Sequence, residues 1–495
     1  MLIVDAFVEV TEVIVPHIQS RQQVDWMELD SSSDEDDTTR SWGGSVPGRK
    51  NVKRDFEGAY QNLMKMYFSG QDSVYQSTPL FERRFGMPRV VFNRVFEALK
   101  DTPAFTRKYN PVNKEFGVYP LVRFCAALRM LVYGSPADRM DETFQMGETT
   151  ISLSFKDFCK EVILKFGDEF LNRCPTAAEK ARVLSLMKRR GFPGAFASWD
   201  CKHFPWDNCP KALHGQYKGK EKSKSLILEA ICDPNLYIWY HFFGEPGSLN
   251  DLNILGKSSI VGAILTQKFD TSVEAYTING KSRDWLYFLA DGIYPKWSIL
   301  CKSVRNPTDA KMADFSSRQE SVRKDIERCF GVLIQKFGIL KNPIRSWFTD
   351  DIRQILDTAV ILHNMTVEVR RSNFTFNDLR TVPQDDNNNN QLDADLEVDD
   401  DGEERDNRGP VRPFVSTFRR GDQEEDEEQN DDSEQVFRSF FQEANDEVAS
   451  TILAGRVAHM TESIEDEQRH MELFNDLQHH IHHNHVSAPR EQYNP

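Results

Sequence analysis

Between Gly194 and Gly244 the sequence holds three short runs of branched and aromatic residues, AFASWD, SLILEAICD and LYIWYHFFG, too short for helices and bounded by turn-forming residues. Asp233, Pro234 and Asn235 supply a tight turn between the second and third runs. Three consecutive strands with tight connections predict an antiparallel meander. A sheet of this kind must bury its faces against other apolar elements, and the flanking sequence provides them. From Phe56, the runs FEGAYQNLMKMYF, PRVVFNRVFEALK, PLVRFCAALRMLVYG and TTISLSFKDFCKEVILKF repeat large apolar residues at intervals of three and four, the period of an amphipathic helix. Residues 55–190 therefore read as a mostly helical module. Within it, the break at Gly134, the short DRMDETFQM segment and the GETT start of a new apolar run resemble a helix-turn-helix, a candidate DNA-binding arrangement.

Beyond the meander, GSLNDLNIL reads as a helix start capped by Ser248 or Asn250. WLYFLADGIYP reads as a fourth strand stopped by Gly292 and Pro295. Ser317 to Glu320 has the S-x-x-E spacing of a capping box, opening a helix whose Val322, Ile326, Phe330, Leu333 and Phe337 share one apolar face. IRQILDTAVILHNMTVEV then closes the body as a buried helix, with His363 and Asn364 as satisfied structural polar groups rather than ligands. The expected fold class is α/β, a ribonuclease-H-like mixed sheet with flanking helices over residues 191–370.

Charge divides the chain in the same way. The net charge is −16, yet residues 1–40 hold 2 Lys/Arg against 10 Asp/Glu, residues 371–495 hold 31 Asp/Glu, and the body between is basic. A basic body between acidic ends is compatible with a polyanionic partner, which the average charge would argue against. Residues 1–50 read as a disordered acidic arm, 371–434 as a disordered acidic linker, and 435–485 as a C-terminal helical segment suited to docking or oligomerisation. Eight cysteines without a CxxC pair suggest a reducing compartment. The apolar opening MLIVDAFVEVTEVIVPHI carries Asp5, Glu9 and Glu12 and has no basic leader, so export is not expected; no uncharged apolar run long enough to span a membrane occurs.

Three acids stand out by position: Asp200 ends the first strand, Asp291 ends the fourth, and Glu327 lies on the later helix. In a ribonuclease-H-like sheet the first and fourth strands are neighbours, so the two aspartates would meet and the helix would add the glutamate. Converging carboxylates repel one another and call for a cation, and hard oxygen donors suit Mg²⁺ or Mn²⁺. Two such ions suit in-line phosphoryl displacement.

GFPGAFASWDCKHFPWDNCPKALHGQYKG, LILEAICDPNLYIWYHFFGEPGSLNDLNIL, YFLADGIYPKW, RQESVRKDIERCFGVLIQKFGIL and ILHNM occur in an order and with gaps that resemble the Harbinger-type transposases of plants, within the DDE transposase and integrase superfamily. The resemblance covers residues about 55–370, and LFNDLQHHI is similar to that group's terminal helix. It implies Asp200, Asp291 and Glu327 as the catalytic, metal-holding acids of a nuclease that cuts element ends and joins them to target DNA. It also implies a Myb-like partner protein, and a nuclear location for which Arg49 to Arg54 is a thin import signal. Trp199, the Lys202-His203-Phe204 triplet and the His-rich end depart from the group's pattern without touching the acids.

Lys202, His203, Lys218, Lys220, Lys222 and Lys224 around GQYKGKEKSK, with Arg323 and Arg328 beside Glu327, are candidate DNA contacts. Asp251, at a helix start, is at most a supporting acid. Cys201, His203, Cys209 and His214 could ligate zinc, but their spacing is unlike that of ordinary zinc modules, and packing is the preferred reading. The tract from His479 to His485 reads as a helix end. An alternative to the transposase is a domesticated, non-cutting DNA- or chromatin-binding derivative; a third reading is a general ribonuclease-H-type nuclease.

Overall fold

The computed structural model describes residues 52–69, 73–111, 114–219, 223–304, 306–341, 344–373 and 466–487. The acidic arm at 1–50, nearly all of the 371–434 linker and the start of the C-terminal segment lie outside the described residues, as do Arg49, Lys50, Lys220 and Lys222.

The helical periods fold as helices. These are α1 Phe56–Leu63, α2 Thr78–Phe85, α3 Arg89–Leu99, α4 Pro120–Tyr133, α5 Glu148–Phe170 and α6 Ala177–Arg189. A two-residue hairpin, β1 Tyr109–Asn110 and β2 Glu115–Phe116, interrupts them. Gly134 ends α4 at φ +61°, where a Cβ would come 3.0 Å from the Gly338 carbonyl, so both backbone strain and close approach require glycine. Thr176 and Glu179 form a reciprocal capping box that starts α6.

Next come β3 Ala195–Pro205, β4 Ser225–Cys232 and β5 Ile238–Pro246, an antiparallel meander as expected. The turn works through Asp233, whose Oδ1 accepts from the Asn235 and Tyr237 amides at 2.8 and 3.1 Å. Helices α7 Asp251–Lys257 and α8 Ser259–Leu265 follow, and Asn250, not Ser248, caps the first. An added hairpin, β6 Ser272–Ile278 and β7 Lys281–Trp285, turns at Asn279 and Gly280, both at positive φ. Asn-Gly is the residue pair that such a turn favours.

β8 Tyr287–Ala290 and β9 Leu300–Lys302 complete the main sheet, in the order β5-β4-β3-β8-β9. Both β8 and β9 run parallel to β3, so the first and fourth strands of the sheet are neighbours. Three antiparallel strands joined to two parallel ones, with helices on both faces, make a mixed α/β fold compatible with the ribonuclease-H-like expectation.

Helix α9 spans Ala310–Lys336. It begins seven residues before the S-x-x-E signature: Asp309 is the cap, its side chain accepting from the Met312 amide at 2.8 Å, and Ser317 to Glu320 lie inside the helix. S-x-x-E spacing is equally compatible with a helix interior, and Phe315 needs the extra turn to reach its buried position. The expected apolar residues Val322, Ile326, Phe330 and Leu333 are buried, and Phe337 is buried just past the helix end. Helix α10 Thr349–Asn373 closes the body. Asn364 is fully satisfied there, accepting from the Ile238 amide at 2.9 Å and donating to the Ile238 and Phe170 carbonyls at 2.8 and 3.0 Å. His363 Nε2 lies 2.6 Å from the Leu236 carbonyl, while its Nδ1 has no partner among the described residues.

Two apolar cores lie on the two faces of the sheet. Leu226, Leu228, Ala230 and Cys232 alternate along β4 into one core with α1–α5 and α10, while Ile231 faces the other with α6–α8, β8 and β9. Helix α9 contributes Phe315 and Val322 to the second core and Ile326 to Leu333 to the first. The last described helix, α11 Glu467–Ser487, buries Leu473, Leu477 and Ile481 in the second core, so this face is covered by its own chain. Among the described residues no helix is long and apolar enough to cross a membrane, and all eight cysteines are free.

Candidate active site

β3 and β8 set the geometry of the two aspartates. Their parallel register pairs Ser198 with Leu289, and two residues further along each chain stand Asp200 and Asp291. The two-residue period of extended chain places them side by side at the end of the paired stretch. Trp199, immediately before Asp200, is buried and donates through its indole N–H to Glu229 Oε1 at 2.9 Å. Burial pushes the fully enclosed Glu229 carboxyl up to about 7. This buried pair fixes the backbone next to Asp200.

Asp200 is mostly buried. Its Oδ1 accepts from the Cys201 amide at 2.9 Å and its Oδ2 from Arg323 Nη1 at 2.8 Å. Burial pushes its carboxyl up to about 6, against the pull of the Arg323 guanidinium, and the Asp251 and Asp291 carboxylates add to the rise. The Asp251 and Asp291 carboxylates thus stand close enough to Asp200 for their charges to act on it.

Glu327 arrives through an arginine. Arg323 Nη2 lies 3.3 Å from Glu327 Oε1, one helical turn further on, while Nη1 holds Asp200. The guanidinium therefore bridges the strand acid and the helix acid. Among the described residues, no three His, Cys, Asp or Glu side chains form a group able to hold a metal ion. From sequence, Arg323 beside Glu327 is a candidate DNA contact. The i,i+4 spacing made the helical pair legible, but the bond to Asp200 spans 123 residues and has no local signal.

Two anchors fix the rotation of α9. Gln319 Nε2 donates to the Ala290 carbonyl at 3.0 Å and the Cys301 carbonyl at 2.9 Å, tying the helix to the ends of β8 and β9. Asp325, buried two residues before Glu327, is held by Arg190 and Arg328. Neither Gln319 nor Asp325 was singled out from the sequence, and Arg328 meets Asp325, one helical turn back, rather than its neighbour Glu327.

Among the other candidates, Lys202 is half-buried, and the exposed His203 bonds through Nδ1 to Ser225 Oγ at 3.0 Å. Lys218 is exposed and Lys224 half-buried, paired across the base of their loop. Cys201 Sγ lies 3.5 Å from the Tyr294 hydroxyl, and His214 Nε2 lies 3.0 Å from the Cys209 carbonyl. Cys201, His203 and His214 thus each have a separate partner. His479 meets Lys311 Nζ at 3.2 Å, and His482 meets Asp314 at 2.8 Å.

Residues 168–373, from the end of α5 to the end of α10, match a family model described as plant transposon protein. Over that stretch the chain is similar to plant transposon proteins. It is 24% identical over 305 residues, 58% of this chain and 71% of the relative, to an Arabidopsis thaliana protein named Protein ALP1-like. No solved structure matches it.

Proposed function

We propose that this chain is a Harbinger-type DNA transposase of the nucleus, in which Asp200, Asp291 and Glu327 form the catalytic acid set. The observation that supports this reading is the Ser198–Leu289 parallel register, two residues before Asp200 and Asp291, together with the Arg323 guanidinium that pairs with both Asp200 and Glu327. The donor set suits a hard divalent cation in kind, being oxygen-only and carrying mutual repulsion that a cation would relieve. Asp200 and Asp291 would hold Mg²⁺ or Mn²⁺, with Glu327 joining as Arg323 releases it. Bound there, such ions supply the positive charge for in-line phosphoryl displacement by water and then by a DNA 3′ hydroxyl.

The chain's own residues do the rest. Burial of Trp199 and the Glu229 contact hold Asp200 in place, and Gln319 and Asp325 set the angle at which α9 presents Glu327. Arg323, released from the acids, is positioned to contact a phosphate. Lys202, His203, Lys218, Lys220, Lys222 and Lys224 are further candidate contacts. A Myb-like partner would supply element-end recognition or nuclear entry.

Arg323 also favours a second reading, a domesticated DNA- or chromatin-binding protein that does not cut. A guanidinium already neutralising Asp200 and Glu327 gives the site a stable arrangement without metal. Nicking of a DNA duplex bearing terminal inverted repeats, with and without Mg²⁺, separates the two. The transposase reading expects metal-dependent cuts that Asp200→Ala abolishes. Full activity in that variant refutes the acid assignment, and DNA binding without cuts under all divalent conditions favours the second reading.

A further inference from the structure

From the aromatic and basic segment that precedes α10 we infer a stacking platform for unpaired DNA, built by Trp347 and Phe348 and separate from the acid site. Trp347 is 56% exposed and Phe348 65% exposed, adjacent in sequence and the two most exposed aromatic side chains among the described residues. The exposure does not come from a loose backbone. The Ile344 amide donates to the Pro205 carbonyl at 2.8 Å, the Asp207 amide to the Ile344 carbonyl at 3.1 Å, and the Asn208 side chain to the Arg345 carbonyl at 2.6 Å. The buried Trp206 donates its indole N–H to the Ser346 carbonyl at 2.9 Å and packs edge-on to Tyr217 at 5.0 Å. On the other side the Phe348 carbonyl accepts from the Ile352 amide at the start of α10. The two rings are therefore carried by a pinned backbone while their faces meet solvent.

The charge around them selects the ligand. Lys341 and Arg345 are exposed in the same segment, and Trp206 donates its amide to the Lys224 carbonyl at 2.8 Å, bringing the Lys218–Lys224 loop base alongside. Asp207 and Asp350 are the exposed acids of these segments, and Asp351 is paired with Lys156. Aromatic faces interleaved with cations match a nucleic-acid strand whose bases are unstacked, because the rings take the bases and the cations take the phosphates. A blunt duplex offers no free base faces along its length.

Position links the platform to the acids. Strand β3 runs from Asp200 to the Trp206 anchor in six residues, about 20 Å at about 3.3 Å each. A DNA strand with unstacked bases covers that distance in a few nucleotides. The inference rests on the nucleic-acid reading above and adds the strand state that this surface selects: DNA unpaired within a few nucleotides of the reacting phosphate.

The test uses the full chain in EDTA, so that no cutting intervenes, and the fluorescence anisotropy of a labelled duplex with or without an eight-nucleotide single-stranded overhang. The double variant Trp347→Ala, Phe348→Ala is expected to bind the overhang substrate about tenfold or more weakly and the blunt duplex within about twofold of the unsubstituted chain. Trp347→Phe should keep most of the affinity, since any aromatic face stacks. Equal losses on both substrates, or no loss on the overhang, overturn the platform. If the unsubstituted chain binds neither DNA, the nucleic-acid reading falls with it; if it binds both and the double variant changes nothing, only the platform falls. Because both side chains are exposed, the double variant should unfold at an unchanged temperature.

Discussion

Replacing Asp200 with Asn probes the candidate site without any DNA substrate. The ordinary carboxyl value of 3.8 rises to about 6 at this position, chiefly through burial and further through the Asp251 and Asp291 carboxylates, with Arg323 opposing. Between those two values the folded chain keeps a proton that the unfolded chain has lost, so stability falls as pH rises through this window. At about 1.4 kcal/mol per pH unit, the whole fall is about 3 kcal/mol. It is complete above about pH 7 and absent below about pH 3. Asparagine fills nearly the same volume and carries no charge, so Asp200→Asn removes this fall. Part of the gain is offset because Arg323 loses one of its two anionic partners. The variant should be more stable than the unsubstituted protein by about 2 kcal/mol at pH 8, with the difference disappearing near pH 4.5. Urea unfolding in EDTA at both pH values, read as midpoint and slope, measures it. A variant less stable at pH 8, or one equally stabilised at both pH values, would refute the account of Asp200 as a carboxylate held against its preference. A gain in stability accompanied by loss of cutting is the pattern expected where a fold keeps strained charge for chemistry.

Arg323→Gln leaves the mostly buried Asp200 without its cation and should cost about 3 kcal/mol in EDTA. Millimolar Mg²⁺ should restore part of that loss, so the metal-induced rise in unfolding temperature should exceed that of the unsubstituted protein; equal rises would show that Arg323 does not stand where a cation acts. Asn364→Ala removes three hydrogen bonds inside the α5–β5–α10 junction and strands the Ile238 amide, for an expected loss of about 3 kcal/mol by urea unfolding. A loss under about 1 kcal/mol would mean that the junction relaxes around the gap.

The match between sequence and structure follows the range over which each feature is encoded. AFASWD, SLILEAICD and LYIWYHFFG became β3, β4 and β5 because branched and aromatic residues at short range, punctuated by Asp233 and Pro234, leave few alternatives to paired strands. Helix α9 showed its apolar face in the three-to-four spacing of Val322, Ile326, Phe330 and Leu333. Its start did not follow the local motif: Asp309 caps it because Phe315 and Gln319 must reach the second core and the strand ends, a requirement that S-x-x-E spacing does not express. The hairpin β6–β7 had a legible signal in Asn279-Gly280, whereas β9 is only three residues long and carries almost none.

By itself the sequence determined which residues are acids and which segments are strands and helices, because these depend on residue type and on periods a few positions long; it ended the first strand at Asp200, whereas β3 runs on to Pro205 because that length pairs with β4. Only the tertiary structure decided that Arg323 joins Asp200 to Glu327, that Asp325 is clamped by Arg190 and Arg328, and that Trp347 stays at the surface while Trp206 is buried beneath its segment. Those outcomes depend on how a sheet and a crossing helix exclude water between residues far apart in the chain, and that desolvation sets both which charges must pair and which rings remain exposed.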